Sequence, residues 1–186
     1  VFEGGVMVEA TQGLPLSMRK KDIFFVVAFS FFAFSSFFSD SWHALGLLEG
    51  DAFWSRANRW YGEIAKDYFF MADHKYVRVN TGISGMIYGP FYLLLVYSFV
   101  KGKNFIRTPA LIYVGAMLHG CTEFLVYEYW IGPPPGNALV FWAFNGPYWV
   151  IPFLLGVRMW KPEPFGRASA ASATSRASSV QDTAMA

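Results

Sequence analysis

Four long apolar runs set the hydrophobic pattern, each about as long as the roughly 20 residues a helix needs to cross a bilayer. The first covers residues 23–48 and carries no charge until Asp40. The second, 79–100, is free of charge and has a Gly89-Pro90 step near its middle. The third, 108–131, contains His119, Glu123 and Glu128, and the fourth, 138–157, is again uncharged but broken by Gly146-Pro147 and Pro152. Prolines are tolerated in lipid where neighbouring helices re-satisfy the freed carbonyls, and the kinks they make open space between helices. The pattern predicts an all-α, multipass membrane helix bundle of four transmembrane helices. Residues 49–78 mix charges with Trp54, Trp60, Tyr61, Tyr68, Phe69 and Phe70. They predict a short amphipathic or re-entrant piece at the interface, which leaves room for a fifth helix.

Depth follows from the helical rise of about 1.5 Å per residue. Asp40 stands about 27 Å beyond Asp22, and Glu123 about 22 Å beyond Thr108. Asn145 lies about 10 Å inside the start of the fourth run, with Tyr148 one turn deeper. Thr81 and Ser84 fall at the same level on the second. Polar residues from four helices are thus expected to converge in one slab of the membrane. A buried carboxylate there costs about 2.5–3.5 kcal/mol unless it faces the bundle interior and finds a partner. His119 and Glu123, at i and i+4, and Asp40 and His43, at i and i+3, are spaced to pair on a helix face. Two readings stay open for each pair. Asp40 and His43 mark either the edge of a shorter helix or a site; His119 and Glu123 are either interhelical glue or chemistry. Glu128 is expected at the interface, and His74 in solvent.

Composition narrows the class. The chain is 54% hydrophobic and 20% aromatic, which fits lipid rather than water as its solvent. A net charge of +2, with basic residues scattered, gives no nucleic-acid surface. Basic residues do cluster by side: Arg19, Lys20 and Lys21; Lys101, Lys103 and Arg107; Arg158, Lys161 and Arg167. Four crossings put all three clusters on one side, so both termini are expected to be cytoplasmic, while the 132–137 loop GPPPGN is lumenal and has no basic residue. No cleavable leader is expected, and the first run serves as a retained targeting signal. The single Cys121 and three separated histidines offer no metal-ligand set, and no cofactor motif occurs. The domain reading is an N-terminal segment 1–21, a membrane domain 22–161 and a Ser/Ala-rich disordered tail 162–186.

Several stretches carry a family resemblance: Asp40 near the end of the first run, RWYGEIAKD at 59–67, GPFYLLLVYSFVKGKNFIRTPALIYV at 89–114 and NGPYWVIPFLL at 145–155. From about Lys21 to Lys161 the chain resembles the EXPERA family, which includes the sigma-2 receptor and the emopamil-binding sterol Δ8–Δ7 isomerase, and it is nearest the sigma-2 branch. The resemblance implies the endoplasmic reticulum, a homodimer in many members, and a buried chamber for sterols and cationic amphiphilic ligands. It matches Asp40 and Asp67 to the acids of that chamber. Tyr148 matches a ring facing the ligand's cation. Asn145 matches an asparagine of the isomerase, and Glu123 an acid of the third helix. Ser36 stands where the isomerase has histidine, and Thr81 and Ser84 stand at the acidic positions of the second helix. A hydroxyl is no base near neutral pH without an activating partner. The expectation is therefore a sterol- or isoprenoid-binding protein with Asp40, Asp67, Thr81, Ser84, Glu123, Asn145 and Tyr148 at its site. The alternative is an isomerase shifting a sterol double bond, with Asp40, His119 and Glu123 handling protons. A third reading is an assembly partner with a vestigial chamber.

Overall fold

Backbone amides in an apolar run have no water to bond, so the run closes its hydrogen bonds on itself as a helix. The structure, a computed structural model, describes residues 13–72 and 74–166. The bundle is built from α1 (Asp22–Ala44), α2 (Phe53–Ala65), α3 (Tyr68–Met71), α4 (Lys75–Lys101), α5 (Asn104–Ile131) and α6 (Ala138–Met159). Among the described residues α1, α4, α5 and α6 are long and apolar enough to cross a membrane, and they carry the four expected spans. α4 starts at Lys75, before its apolar run, because its first turn is a polar rim that hydropathy alone does not register.

The fifth span is not there among the described residues; α2 occupies its place as a short amphipathic helix. Ser55, Asn58, Gly62 and Ala65 recur at three- and four-residue spacing and form its buried stripe, while Phe53 and Trp60 point outward. The stripe is small and polar, so α2 approaches α1 closely and bonds to it. Trp42 Nε1 donates to Ser55 Oγ at 2.9 Å, and Ser39 Oγ donates to Asn58 Oδ1 at 2.6 Å.

α1 packs chiefly on α4, and α5 on α6. Phe25, Phe29 and Phe32 project from one face of α1 onto Tyr92, Leu95 and Phe99 of α4, with Tyr113 of α5 closing the cluster. Lipid is as apolar as these rings, so shape and ring contacts rather than water exclusion hold them. Tyr92 stacks on Phe29 at 5.8 Å, and Tyr113 donates to its hydroxyl at 3.2 Å. Aromatic pairs of this kind contribute about 0.5–1.5 kcal/mol each. The outer surface is apolar in turn, with Val27, Phe31, Met86, Ile112 and Phe153 exposed.

One end of the bundle is closed by charge. Asp22 at the start of α1 pairs with Arg19, and its two oxygens accept from Arg158 of α6 at 2.7 and 2.8 Å. Phe165 packs under both guanidiniums, 4.6 Å from Arg19 and 5.4 Å from Arg158, and is itself buried. The folded part therefore continues past Lys161 to Gly166, where Phe165 N–H donates to Asn104 and Leu14 N–H donates to the Phe165 carbonyl. The rest of the expected tail, from Arg167, lies outside the described residues.

Three spans contain a π-helical turn: Ser36–Asp40 in α1, Ser84–Tyr88 in α4 and Tyr127–Ile131 in α5. Such turns re-aim side chains and gather at functional sites. In α4 the turn precedes Pro90, which has no N–H to continue the ladder. The turns of α1 and α4 lie against each other.

Candidate functional site

The facing π turns bring Asp40, Ser36 and Ser84 together. Ser84 Oγ donates to Asp40 Oδ2 at 2.6 Å, and the Ser36 and Ser84 hydroxyls bond at 2.8 Å. Ser36 also lies within reach of the carboxyl. Tyr148 of α6 stands beside this group, its hydroxyl 3.0 Å from Ser35 Oγ and its ring stacked on Phe32 at 4.3 Å. The arrangement is an acid held by hydroxyls next to an aromatic face.

A second polar centre lies one turn along α6. Asn145 Nδ2 donates to the Tyr61 hydroxyl at 2.8 Å, and Tyr61 donates to Asp67 Oδ2 at 2.9 Å. Asp67 is placed by the end of α2, where Lys66 takes a left-handed conformation with φ +50° and turns the chain back. The Asp67 side chain then caps α3, accepting from Phe70 N–H at 2.8 Å. Glu128 of α5, fully buried, meets Asp67 from the other side. Burial pushes the Asp67 carboxyl above its usual range, against the opposing pull of the Phe70 N–H and the Tyr61 hydroxyl. Burial and the neighbouring Asp67 push the Tyr61 phenol up as well, so it stays a donor. Two carboxyls packed together away from water do not both carry charge.

An acid that holds its proton more tightly when folded stabilises the fold below its ordinary value of 3.8 and loses that contribution as pH rises through the raised value. The melting temperature is expected to fall from about pH 4 upward through this window, and Asp67→Asn to flatten the fall. A calorimetric pH series on both proteins reads the difference; an unchanged slope in the variant removes Asp67 as its source.

The expected site residues divide accordingly. Asp40, Ser84 and Tyr148 come together, and Asp67 and Asn145 come together one turn away. Thr81 does not join them: its hydroxyl bonds back to the carbonyls of Val77 at 2.9 Å and Arg78 at 3.2 Å. His119 and Glu123 sit on the exposed face of α5, where with Thr122 and Val126 they line a shallow groove of about 260 Å³. Their helix turns them away from both polar centres. Two further residues are central to the packing. Glu128, expected at the interface, is buried against Asp67; five residues on from Glu123, it stands on nearly the opposite face of α5. His43, read as either the edge of a shorter helix or part of a site, is fully buried, with its ring 4.3 Å from Phe70. Only the position of Glu128 inside an apolar run could have signalled its role.

Comparison with known proteins places the chain in a family. Residues 53–159 match the profile described as EXPERA, the expanded EBP superfamily. The match takes in α2 to α6 and leaves α1, with Asp40, outside it. A protein of Oryza sativa subsp. japonica named "Probable 3-beta-hydroxysteroid-Delta(8),Delta(7)-isomerase" is 27% identical over 126 residues, 59% of this chain and 55% of that protein. The chain thus spans about half the length of that relative. No solved structure matches the chain. A profile match over more than half its length, on a four-span bundle with two buried acidic centres, makes this chain a member of the EXPERA superfamily.

Proposed function

We propose that this chain is a protein of the endoplasmic reticulum membrane that binds a sterol or another flat isoprenoid, with both termini on the cytoplasmic side. Arg19, Lys101, Lys103, Arg107, Arg158 and Lys161 gather at the end of the bundle where α1 and α5 begin and α4 and α6 finish, which supports that orientation. The observation that carries the reading is the Asp40 carboxyl, held by Ser84 beside the Tyr148 ring. A sterol hydroxyl or an ammonium head finds its acceptor in Asp40, and a flat ring system finds the half-buried Tyr148 ring, which Phe32 backs at 4.3 Å. Similarity to a protein named as a steroid isomerase supports a ligand of that size and shape.

One observation favours a second reading, an isomerase. Moving a double bond requires a proton delivered to one carbon and another removed from its neighbour. Asp40 is one candidate proton carrier, and the Asp67–Glu128 pair, a helical turn away through Asn145 and Tyr148, is another. His119 and Glu123 lend this reading nothing, since they face outward.

One experiment separates the two. Membranes from cells lacking their own isomerase, expressing this protein, are given a labelled Δ8-sterol, and bound sterol and any Δ7 product are quantified. Binding without product is expected. Asp40→Asn should weaken a cationic amphiphile by about 10- to 100-fold, the worth of one charge-assisted hydrogen bond. Unchanged affinity in that variant would remove Asp40 from the site, and a Δ7 product that disappears in Glu128→Gln would establish the isomerase.

A further inference from the structure

The end of the bundle that Asp22 closes also carries an open groove of about 490 Å³, where the segment leading into α1 meets the end of α6. Arg19, Lys20, Lys21 and Arg158 line it, and Asp22 is the carboxylate among them. Four cations against one carboxylate leave a surplus of three positive charges. The orientation of the helices accounts for cations gathering at this end. It does not by itself set four of them around one hollow.

The lining residues differ in what they have left to offer. Arg19 is buried, with its donors committed to Asp22 and to the carbonyls of Leu14 and Phe99. Arg158 bonds to Asp22 and to the Pro164 carbonyl, while 24% of its side chain stays open. These two fix the charge of the floor. Lys20 and Lys21 are exposed on the rim, with the exposed Ser17 beside them. An ammonium on a flexible four-carbon stem closes readily on an anion from above.

What borders the groove selects the ligand. Ile23 follows Asp22 along α1, Val157 precedes Arg158 on α6, and both are exposed, as is Phe24. An anion seated in the groove therefore lies at the edge of an apolar surface that suits acyl chains. The volume falls within the range of about 300–1,000 Å³ that holds small ligands. A surplus of three charges is matched by a headgroup with several phosphates better than by one with a single negative charge.

We propose that this groove seats the headgroup of a phosphorylated inositol phospholipid, with Lys20 and Lys21 closing on its phosphates. The site is separate from Asp40 and independent of what binds there; only the choice of the cytoplasmic leaflet rests on the proposed orientation. The full chain, in neutral detergent, is titrated with a fluorescent short-chain phosphatidylinositol bisphosphate and followed by polarisation. Saturable binding is expected. Lys20→Gln/Lys21→Gln should weaken it about 30-fold, the effect of two cations close to a lipid headgroup. Lys101→Gln/Lys161→Gln removes the same charge from exposed positions at the same end but outside the groove, and should change affinity less than about threefold. All four lysines are exposed, so the fold survives their loss. Equal losses in the two double variants would reduce the effect to the general field of that end and overturn the site. So would phosphatidylserine binding as tightly as the bisphosphate, or the absence of saturable binding. A soluble inositol polyphosphate that binds as tightly as the lipid would make the ligand a free phosphate and overturn the lipid assignment.

Discussion

Replacing Asp22 by alanine is expected to cost on the order of 3–5 kcal/mol, nearer the lower figure because Arg158 keeps contact with water. Asp22 pairs with both Arg19 and Arg158, and its side chain and that of Arg19 are almost fully buried. Its loss leaves two guanidiniums at the end of the bundle without their counter-charge. Carbonyl partners remain: Leu14 and Phe99 for Arg19, and Pro164 for Arg158. They supply hydrogen bonds but not charge. Asp22 also begins α1, where a negative side chain suits the helix dipole. Asp22→Asn, which keeps an acceptor, should therefore fall between the wild type and Asp22→Ala. Unfolding of the three proteins in the same detergent measures the series; a loss under about 1 kcal/mol in Asp22→Ala would mean that the carbonyls alone hold the arginines.

The sequence shows the spans plainly because 20 apolar residues have few other fates, and it shows the amphipathic α2 because small polar residues repeat on one face. It shows Asp40 as well, a charge where none is tolerated without a purpose. Rotation about each helix axis is what it does not show. Glu123 and Glu128 lie on the same span at similar cost, yet one faces out and the other is buried: a spacing of five puts them on nearly opposite faces, but periodicity does not say which face meets the bundle. The α1 and α4 turns are hidden in the same way, so Ser36 and Ser84 could be read as replacements for chemistry but not as holders of Asp40. Thr81 is different again: a threonine in a helix can satisfy its hydroxyl on the preceding turn, and it does.

The closeness of those two turns makes Gly85 the most sensitive position for the site. Gly85 lies in the α4 turn, and a Cβ there would overlap Ser41 Oγ and stand 3.1 Å from the Ser36 carbonyl oxygen. Ser41 cannot simply swing aside, because its hydroxyl donates to that same carbonyl at 2.9 Å. Gly85→Val must therefore push α4 away from α1. Overpacking of this kind costs about 1–3 kcal/mol in stability. The larger effect falls on the site, since the 2.6 Å bond from Ser84 to Asp40 spans the gap that opens. Ligand affinity is expected to drop at least about 100-fold, some 2.7 kcal/mol, with the Asp22 end of the bundle still closed. Gly82→Ala, one turn earlier, is the control: its Cβ would meet only Ala44 Cβ at 3.6 Å, an ordinary contact, so affinity should hold. Binding by both variants in the same membranes decides it. If Gly85→Val binds as the wild type does, the two facing turns do not form the ligand's floor, and the polar centre around Asp67 becomes the place to look.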